Sequence, residues 1–158
     1  GGNVLVVGLN KDSLQGDKAY LNYFNILKNE VMPTIDISNT IDLGPILFTM
    51  AALLNGAIFT GINRLRIKES DRVKCVCDEL VKFGVESKIS KNECIIYKNE
   101  LHKPTKNLSS HNDHRLVMAL SVILSKFGGV IENAEAVNKS FPNFFEVIKD
   151  LGIEVQDE

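Results

Sequence analysis

A repeated unit of strand, polar loop and helix constrains the fold most strongly. Residues 56–86 and residues 129–154 each begin with glycine, continue as a short apolar strand, reach a lysine before a helix and end in Gly-X-Glu. The two lysines are Lys68 and Lys139. A weaker third copy opens the chain at residues 4–17. Such units cannot bury their apolar faces alone, so we expect them to share one core.

Apolar periodicity and turn residues predict alternating helices and strands along the chain. The predicted helices are residues 17–27, 45–55, 73–83, 113–127 and 142–151. The predicted strands are residues 4–7, 58–62, 85–89, 94–97, 130–132 and 153–155. The helices at 45–55 and 113–127 are apolar on most sides and should be buried. The fold class is therefore α/β (α+β), with repeated units, buried helices and mixed sheets in one domain, residues 1–158.

Composition excludes several classes of function. The 158 residues are 44% hydrophobic and 24% charged, as in a globular domain, and the net charge is −2. So weak a field gives no general attraction to nucleic acid or to an anionic membrane.

Three cysteines without a CxxC pair suggest neither a disulfide framework nor a zinc site. With no signal-peptide pattern or long apolar run, we expect a cytoplasmic protein. Because the chain opens without Met on an apolar strand, we expect a fragment.

Residues 64–72 form the densest cluster of positive charge, with four cations in nine residues. Lys68 and Arg72 lie beside the expected start of a helix, where free N–H groups and the helix dipole favour a phosphate or carboxylate. The alternative is a solvated basic loop in which Glu69 and Asp71 are surface partners. Composition alone does not decide between them.

A second polar cluster, residues 111–115, lies at the start of the most apolar helix. Arg115 is poorly suited to a core, which favours a cleft at this end of the helix. The alternative is a simple N-cap by Asn112 or Asp113 with an exposed arginine. The two histidines of this cluster, His111 and His114, are three positions apart. No third metal ligand is evident beside them, so we predict no metal site.

Two further residues have both an ordinary and a functional interpretation. Asp42, just before the apolar helix at 45–55, is typical of a helix cap, but its carboxylate is also suited to act as a base. Taken alone, Lys139 would be an ordinary surface lysine. Its correspondence with Lys68 in the repeat favours a functional role instead.

Five segments together resemble the signature sequences of the EPSP synthase family, the 3-phosphoshikimate 1-carboxyvinyltransferases. These segments are residues 13–17, 42–45, 65–72, 112–115 and 139–145. Their order and spacing agree with the family, and they cover nearly the whole chain.

The resemblance implies a domain organisation. Family members have two domains, each built from three β-α-β-α-β-β units, and this chain is similar to most of the C-terminal domain. The N-terminal domain would then be absent, and the chain alone is expected to be inactive. One departure concerns residues 29–39, which leave little room for the strand hairpin usual in the family.

The resemblance also implies a reaction. The enolpyruvyl group of phosphoenolpyruvate moves to the 5-hydroxyl of shikimate 3-phosphate, and phosphate is released, without a metal or organic cofactor. The substrates and the missing domain would be the partners of a monomer that binds neither nucleic acid nor membrane. Glyphosate would occupy the phosphoenolpyruvate part of the site.

Site residues follow from the matching motifs. The residues implied to bind phosphoenolpyruvate are Lys68, Arg72, His114, Arg115 and Lys139. Those implied to act in catalysis are Asp42, as acceptor of the hydroxyl proton, Glu69, as proton donor to the methylene carbon, and Lys68. Asp42 and Lys68 would also contact shikimate 3-phosphate. Four cations and the carboxylates of Asp42 and Glu69 would give the protein side about +2, against about −3 on phosphoenolpyruvate.

Other interpretations remain open at this stage. The UDP-N-acetylglucosamine enolpyruvyl transferases share the fold but match residues 68–72 less well. A non-catalytic anion-binding module of the same fold is a second alternative. A nucleic-acid module is disfavoured, because the basic residues lack interleaved aromatics and the net charge is negative.

Overall fold

A computed structural model describes Asp12, Leu14 and residues 16–156. The strand predicted at residues 4–7, with most of the third repeat copy, lies outside these residues. The helices are α1 (Tyr20–Asn29), α2 (Gly44–Leu53), α3 (Arg72–Leu80), α4 (His114–Phe127) and α5 (Phe144–Asp150). The strands are β1 (Thr34–Asp36), β2 (Ala57–Thr60), β3 (Ser87–Ile89), β4 (Glu93–Ile96), β5 (Leu108–Ser109) and β6 (Ile131–Glu132).

The strands described here form two sheets. In the larger sheet the order is β1-β2-β4-β3, with β1 parallel to β2 and the remaining pairs antiparallel. Side chains alternate along β2, so that Ala57 and Phe59 are buried while their neighbours are half-buried. The smaller sheet pairs β5 with β6 in parallel. This mixture of helices and mixed sheets confirms the predicted fold class.

Helix α2 lies at the centre of the core because its ten residues carry no charge. It packs against α1, α3 and α4. Leu47, Phe48 and Ala51 are fully buried, and the Phe48 ring lies 4.8 Å from that of Phe59 on the sheet. Pro45 fits the first helical turn, where no intrahelical N–H bond is needed. Among the described residues, none of the helices has the length and apolar character required to cross a bilayer.

The five predicted helices are confirmed with shifts of a few residues at their ends. The strand predicted at 153–155 is wrong: these residues form no strand, and the Ile153 amide instead donates to the Ile148 carbonyl at 3.1 Å, closing the end of α5. Residues 29–39 contain only the three-residue strand β1. Strands β1 and β5 were not predicted, because three and two residues are too few for a visible alternation; the equally short β6 was predicted from its place after Gly129 in the repeat.

Three short 3-10 segments follow strands and position three of the candidate site residues. Asp42 lies within Ile41–Leu43, downstream of β1, and Lys68 directly follows Ile62–Ile67, after β2. Lys139 ends Ala134–Lys139, after β6. The last two segments are each preceded by a residue in the left-handed conformation, Gly61 (φ 75°) and Asn133 (φ 56°). The internal repeat therefore extends to the backbone conformation of the loops.

Candidate active site

Arg72 is the centre of the site. Its side chain is only 1% exposed, although it is the first residue of α3. Nε donates to Asp113 Oδ2 at 2.8 Å, Nη1 to Asp42 Oδ1 at 2.9 Å and Nη2 to Glu69 Oε2 at 2.7 Å. Burial works against the charge, but the attraction of these carboxylates outweighs it and raises the pKa of Arg72. The interpretation of residues 64–72 as a solvated loop is therefore wrong for Arg72.

Asp113 joins the two polar clusters of the sequence. Its carboxylate is fully buried and accepts from Arg72, from Ser70 Oγ at 3.0 Å and from the Arg115 amide at 2.9 Å. The last contact caps α4. Desolvation raises the pKa of Asp113, but the bonds and charge of Arg72, together with the other two donors, hold it below its ordinary value. A residue expected at most to cap a helix thus also orients the buried guanidinium.

Asp42 is the carboxylate on which three cations converge. Lys68 Nζ lies 3.4 Å from Asp42 Oδ1, the same oxygen that accepts from Arg72. Arg115 Nη2 lies 3.2 Å from Asp42 Oδ2. Arg115 Nη1 also donates to the Asp42 carbonyl at 3.1 Å. Partial burial raises the pKa of Asp42, but the positive charges of Arg115, Lys68 and Arg72 outweigh it and lower the pKa overall. The cations come from three positions, directly after the 3-10 segment Ile62–Ile67, at the start of α3 and in the first turn of α4.

Lys139 is attached to the same region through Asn112. Its Nζ donates to the Asn112 carbonyl at 2.7 Å and to Oδ1 at 2.8 Å. Asn112 directly precedes Asp113 and has a left-handed backbone (φ 56°). Both lysines of the sequence repeat are therefore linked to the start of α4, Lys139 through Asn112 and Lys68 through Asp42, which pairs with Arg115.

Glu69 and His114 complete the predicted set. The Glu69 side chain is 43% exposed and faces Arg72 from the outer side. His114 is half-buried in the first turn of α4, and its Nδ1 has no hydrogen-bond partner in the described part of the chain. His111 does not pair with it, because His111 Nε2 lies 2.8 Å from Glu79 Oε1.

The structure thus brings three of the predicted cations, Lys68, Arg72 and Arg115, together with the predicted carboxylates, while Lys139 is attached at Asn112. The family motifs imply four cations against two carboxylates. Asp113 adds a third carboxylate, so the three cations paired around Asp42 and Asp113 are balanced, and Lys139, held at Asn112, leaves the site at about +1 before a ligand arrives. The signal for Asp113 was its place in the motif at 112–115, but its contact with Arg72 spans 41 residues and is invisible in local spacing.

Comparison with known proteins gives the family. The model of the EPSP synthase family (3-phosphoshikimate 1-carboxyvinyltransferase) matches residues 1–148. The chain belongs to the EPSP synthase family. A 3-phosphoshikimate 1-carboxyvinyltransferase of Brachyspira hyodysenteriae is 37% identical over 98% of this chain, and one of Clostridium kluyveri is 37% identical over 99%. The family resemblance of the sequence motifs is confirmed.

The three-dimensional comparison agrees with this membership. The structure of EPSP synthase from Acinetobacter baumannii superposes with a TM-score of 0.69 at 27% identity, covering 80% of this chain and 32% of that one. The chain spans 41% of the length of the Brachyspira and Clostridium relatives. These EPSP synthase relatives are considerably longer proteins, and the cation cluster described above lies in the segment they share with this chain.

Proposed function

We propose that this chain forms the phosphoenolpyruvate-binding wall of an EPSP synthase. The whole protein would transfer the enolpyruvyl group of phosphoenolpyruvate to the 5-hydroxyl of shikimate 3-phosphate. Residues 1–158 would be most of its C-terminal domain, with the N-terminal domain supplying the opposite wall. The observation that carries the proposal is the convergence of Lys68, Arg72 and Arg115 on Asp42.

An anionic ligand would bind by exchanging partners within this cluster. Asp113 fixes the Nε edge of Arg72, whereas Nη1 and Nη2 face Asp42 and Glu69, which are 34% and 43% exposed at the side chain. A ligand carboxylate or phosphate can replace these outer carboxylates while the inner contact with Asp113 remains. Because Nη1 and Nη2 of Arg72 already donate to Asp42 and Glu69, a ligand of about −3 can bond to them only when these two carboxylates release the cation.

The same exchange would prepare Asp42 to act as a base. Without a ligand, nearby cations lower the pKa of Asp42 and make it a weak proton acceptor. When ligand anions neutralise Arg115 and Lys68, that depression is relieved. Asp42 would then accept the proton of the 5-hydroxyl, whose oxygen bonds to C2 of phosphoenolpyruvate.

Glu69 would donate a proton to the methylene carbon as the tetrahedral intermediate forms, once the ligand has displaced it from Arg72. The C2–O bond to phosphate would then break and one methyl proton would return to the Glu69 carboxylate, which gives free phosphate and the enol ether of the product. His114, beside Arg115, would lie near the transferred group. We further propose a monomeric, cytoplasmic enzyme that needs no metal or organic cofactor and in which glyphosate competes with phosphoenolpyruvate.

The test uses the complete product of the gene that contains this chain. With phosphoenolpyruvate and shikimate 3-phosphate it should release phosphate, and Arg115→Ala or Lys139→Ala should raise the KM for phosphoenolpyruvate at least about tenfold. Lys149→Ala, which removes an exposed lysine on α5, is the matched control and should change little. Turnover with UDP-N-acetylglucosamine alone, or none with either acceptor, would overturn the proposal.

A further inference from the structure

Glu79 is a buried carboxylate that lies outside the proposed substrate contacts. It is 2% exposed, near the end of α3. Oε2 accepts from Lys82 Nζ at 2.7 Å and from the Ser109 amide at 2.9 Å, and Oε1 accepts from His111 Nε2 at 2.8 Å. Burying a carboxylate is costly unless such donors surround it. Two of these donors come from the segment leading into α4, about thirty residues away in sequence.

That segment has an unusual backbone. His111 (φ 48°) and Asn112 (φ 56°) are consecutive non-glycine residues in the left-handed region. Such conformations are uncommon and persist only where the surroundings enforce them. The Ser109 and Ser110 hydroxyls accept from the His111 and Asn112 amides, each at 3.1 Å. Glu79 holds the turn from outside, at Ser109 and at the His111 ring.

The strained turn leads directly to the cation cluster. Asn112 offers its carbonyl and Oδ1 to Lys139, and the next residue, Asp113, orients Arg72 and caps the helix that carries Arg115. A relaxed turn would move both oxygens away from Lys139 and shift the Asp113 carboxylate.

We propose that Glu79 is a positioning residue for the anion site: by binding Ser109 and His111 it holds the left-handed turn that places Lys139 and Arg72. Glu79 itself touches no substrate. The kinetic part of this inference rests on the proposed function, but the positioning part does not.

The experiment compares four variants of the complete gene product. Glu79→Gln removes the charge and one acceptor oxygen. His111→Leu and His111→Gly both remove the ring donor, but only glycine adopts positive φ without strain. Asp78→Asn, the neighbouring and exposed carboxylate on α3, is the matched control. Each variant is measured by amide hydrogen exchange at residues 109–115 and by steady-state kinetics.

Glu79→Gln should speed amide exchange at residues 109–115 and raise the KM for phosphoenolpyruvate about tenfold, with a smaller change for shikimate 3-phosphate. His111→Leu should change both quantities in the same direction. The rise in KM should be at least about threefold smaller for His111→Gly, because glycine relieves the strain of the turn. Asp78→Asn should match the wild type.

Two results would overturn the inference. One is unchanged amide exchange in both Glu79→Gln and His111→Leu; the other is an equal rise in the KM for phosphoenolpyruvate in the two His111 variants. If Glu79→Gln fails to fold, the His111 pair decides, since the His111 side chain is 28% exposed and its loss opens no core cavity. If the wild type does not use phosphoenolpyruvate, the proposed function fails, while hydrogen exchange still decides whether Glu79 positions the turn.

Discussion

Replacing Asp113 by asparagine tests the buried contact on which the site geometry depends. The substitution preserves shape, and asparagine remains a good N-cap for α4. What it removes is the negative charge beside the Arg72 guanidinium. Both side chains are essentially inaccessible to water, at 0% and 1% exposure.

The magnitude follows from that burial. Removing one partner of a buried ion pair costs about 3–5 kcal/mol, because the remaining charge is left uncompensated. Arg72 keeps Asp42 and Glu69 as partners, so we expect the lower end, about 3 kcal/mol. At about 2–4 °C per kcal/mol for a domain of this size, the Tm should fall by about 6–12 °C.

The assay is urea denaturation of the 158-residue chain, followed by far-ultraviolet circular dichroism. The transition midpoint should fall without a change in the m value, since the same surface is exposed on unfolding. Asp78→Asn, which breaks an exposed pair with Lys74 on the same α3 helix, should leave the midpoint nearly unchanged. A loss below about 1 kcal/mol for Asp113→Asn would refute the claim that this contact organises the site.

Two further predictions concern pH and backbone conformation. Because the pKa values of Asp42 and Asp113 are lowered in the folded chain, their contribution to stability should be complete above about pH 4 and be lost as pH falls through the folded-state values. Asp113→Asn should therefore flatten the acid side of the stability curve measured by urea titration at several pH values. Gly61→Ala should destabilise the chain far more than Gly152→Ala in thermal melts. Both glycines have positive φ, but a Cβ at Gly61 would lie 2.7 Å from the Ser38 amide nitrogen, whereas a Cβ at Gly152 would have nothing within 4 Å. Equal losses of Tm in the two variants would contradict this prediction.

The elements with strong periodicity could be predicted from sequence. The apolar run of α2 and the apolar stripe of α4 are long enough to distinguish a helix from a strand. The glycines and lysines at matching positions indicated the repeat. The 3-10 segments escaped prediction because each is only three to six residues long, too short to show a helical period. The strand expected at 153–155 failed because an apolar triplet cannot show whether its amides pair with a neighbouring strand or close the preceding helix.

For the site, sequence predicted the residue types but not how they are paired. Lys68, Arg72, Arg115 and Lys139 stood out as cations near helix starts and in family motifs. That Arg72 is buried beneath three carboxylates depends on the packing of α3 against the 3-10 segment of Asp42 and the start of α4. Glu79 could not be singled out from sequence, since nothing near it in the chain indicates its partners on the far segment.

The central claim is that four cations from separate segments bind one small anion. Side-chain NMR signals of Lys68, Arg72, Arg115 and Lys139 should be followed while phosphoenolpyruvate is added to the 158-residue chain at low and high salt. All four signals should shift along curves with one Kd, and binding should weaken as salt is added. Signals that shift with different Kd values, or binding that leaves them unmoved, would contradict it.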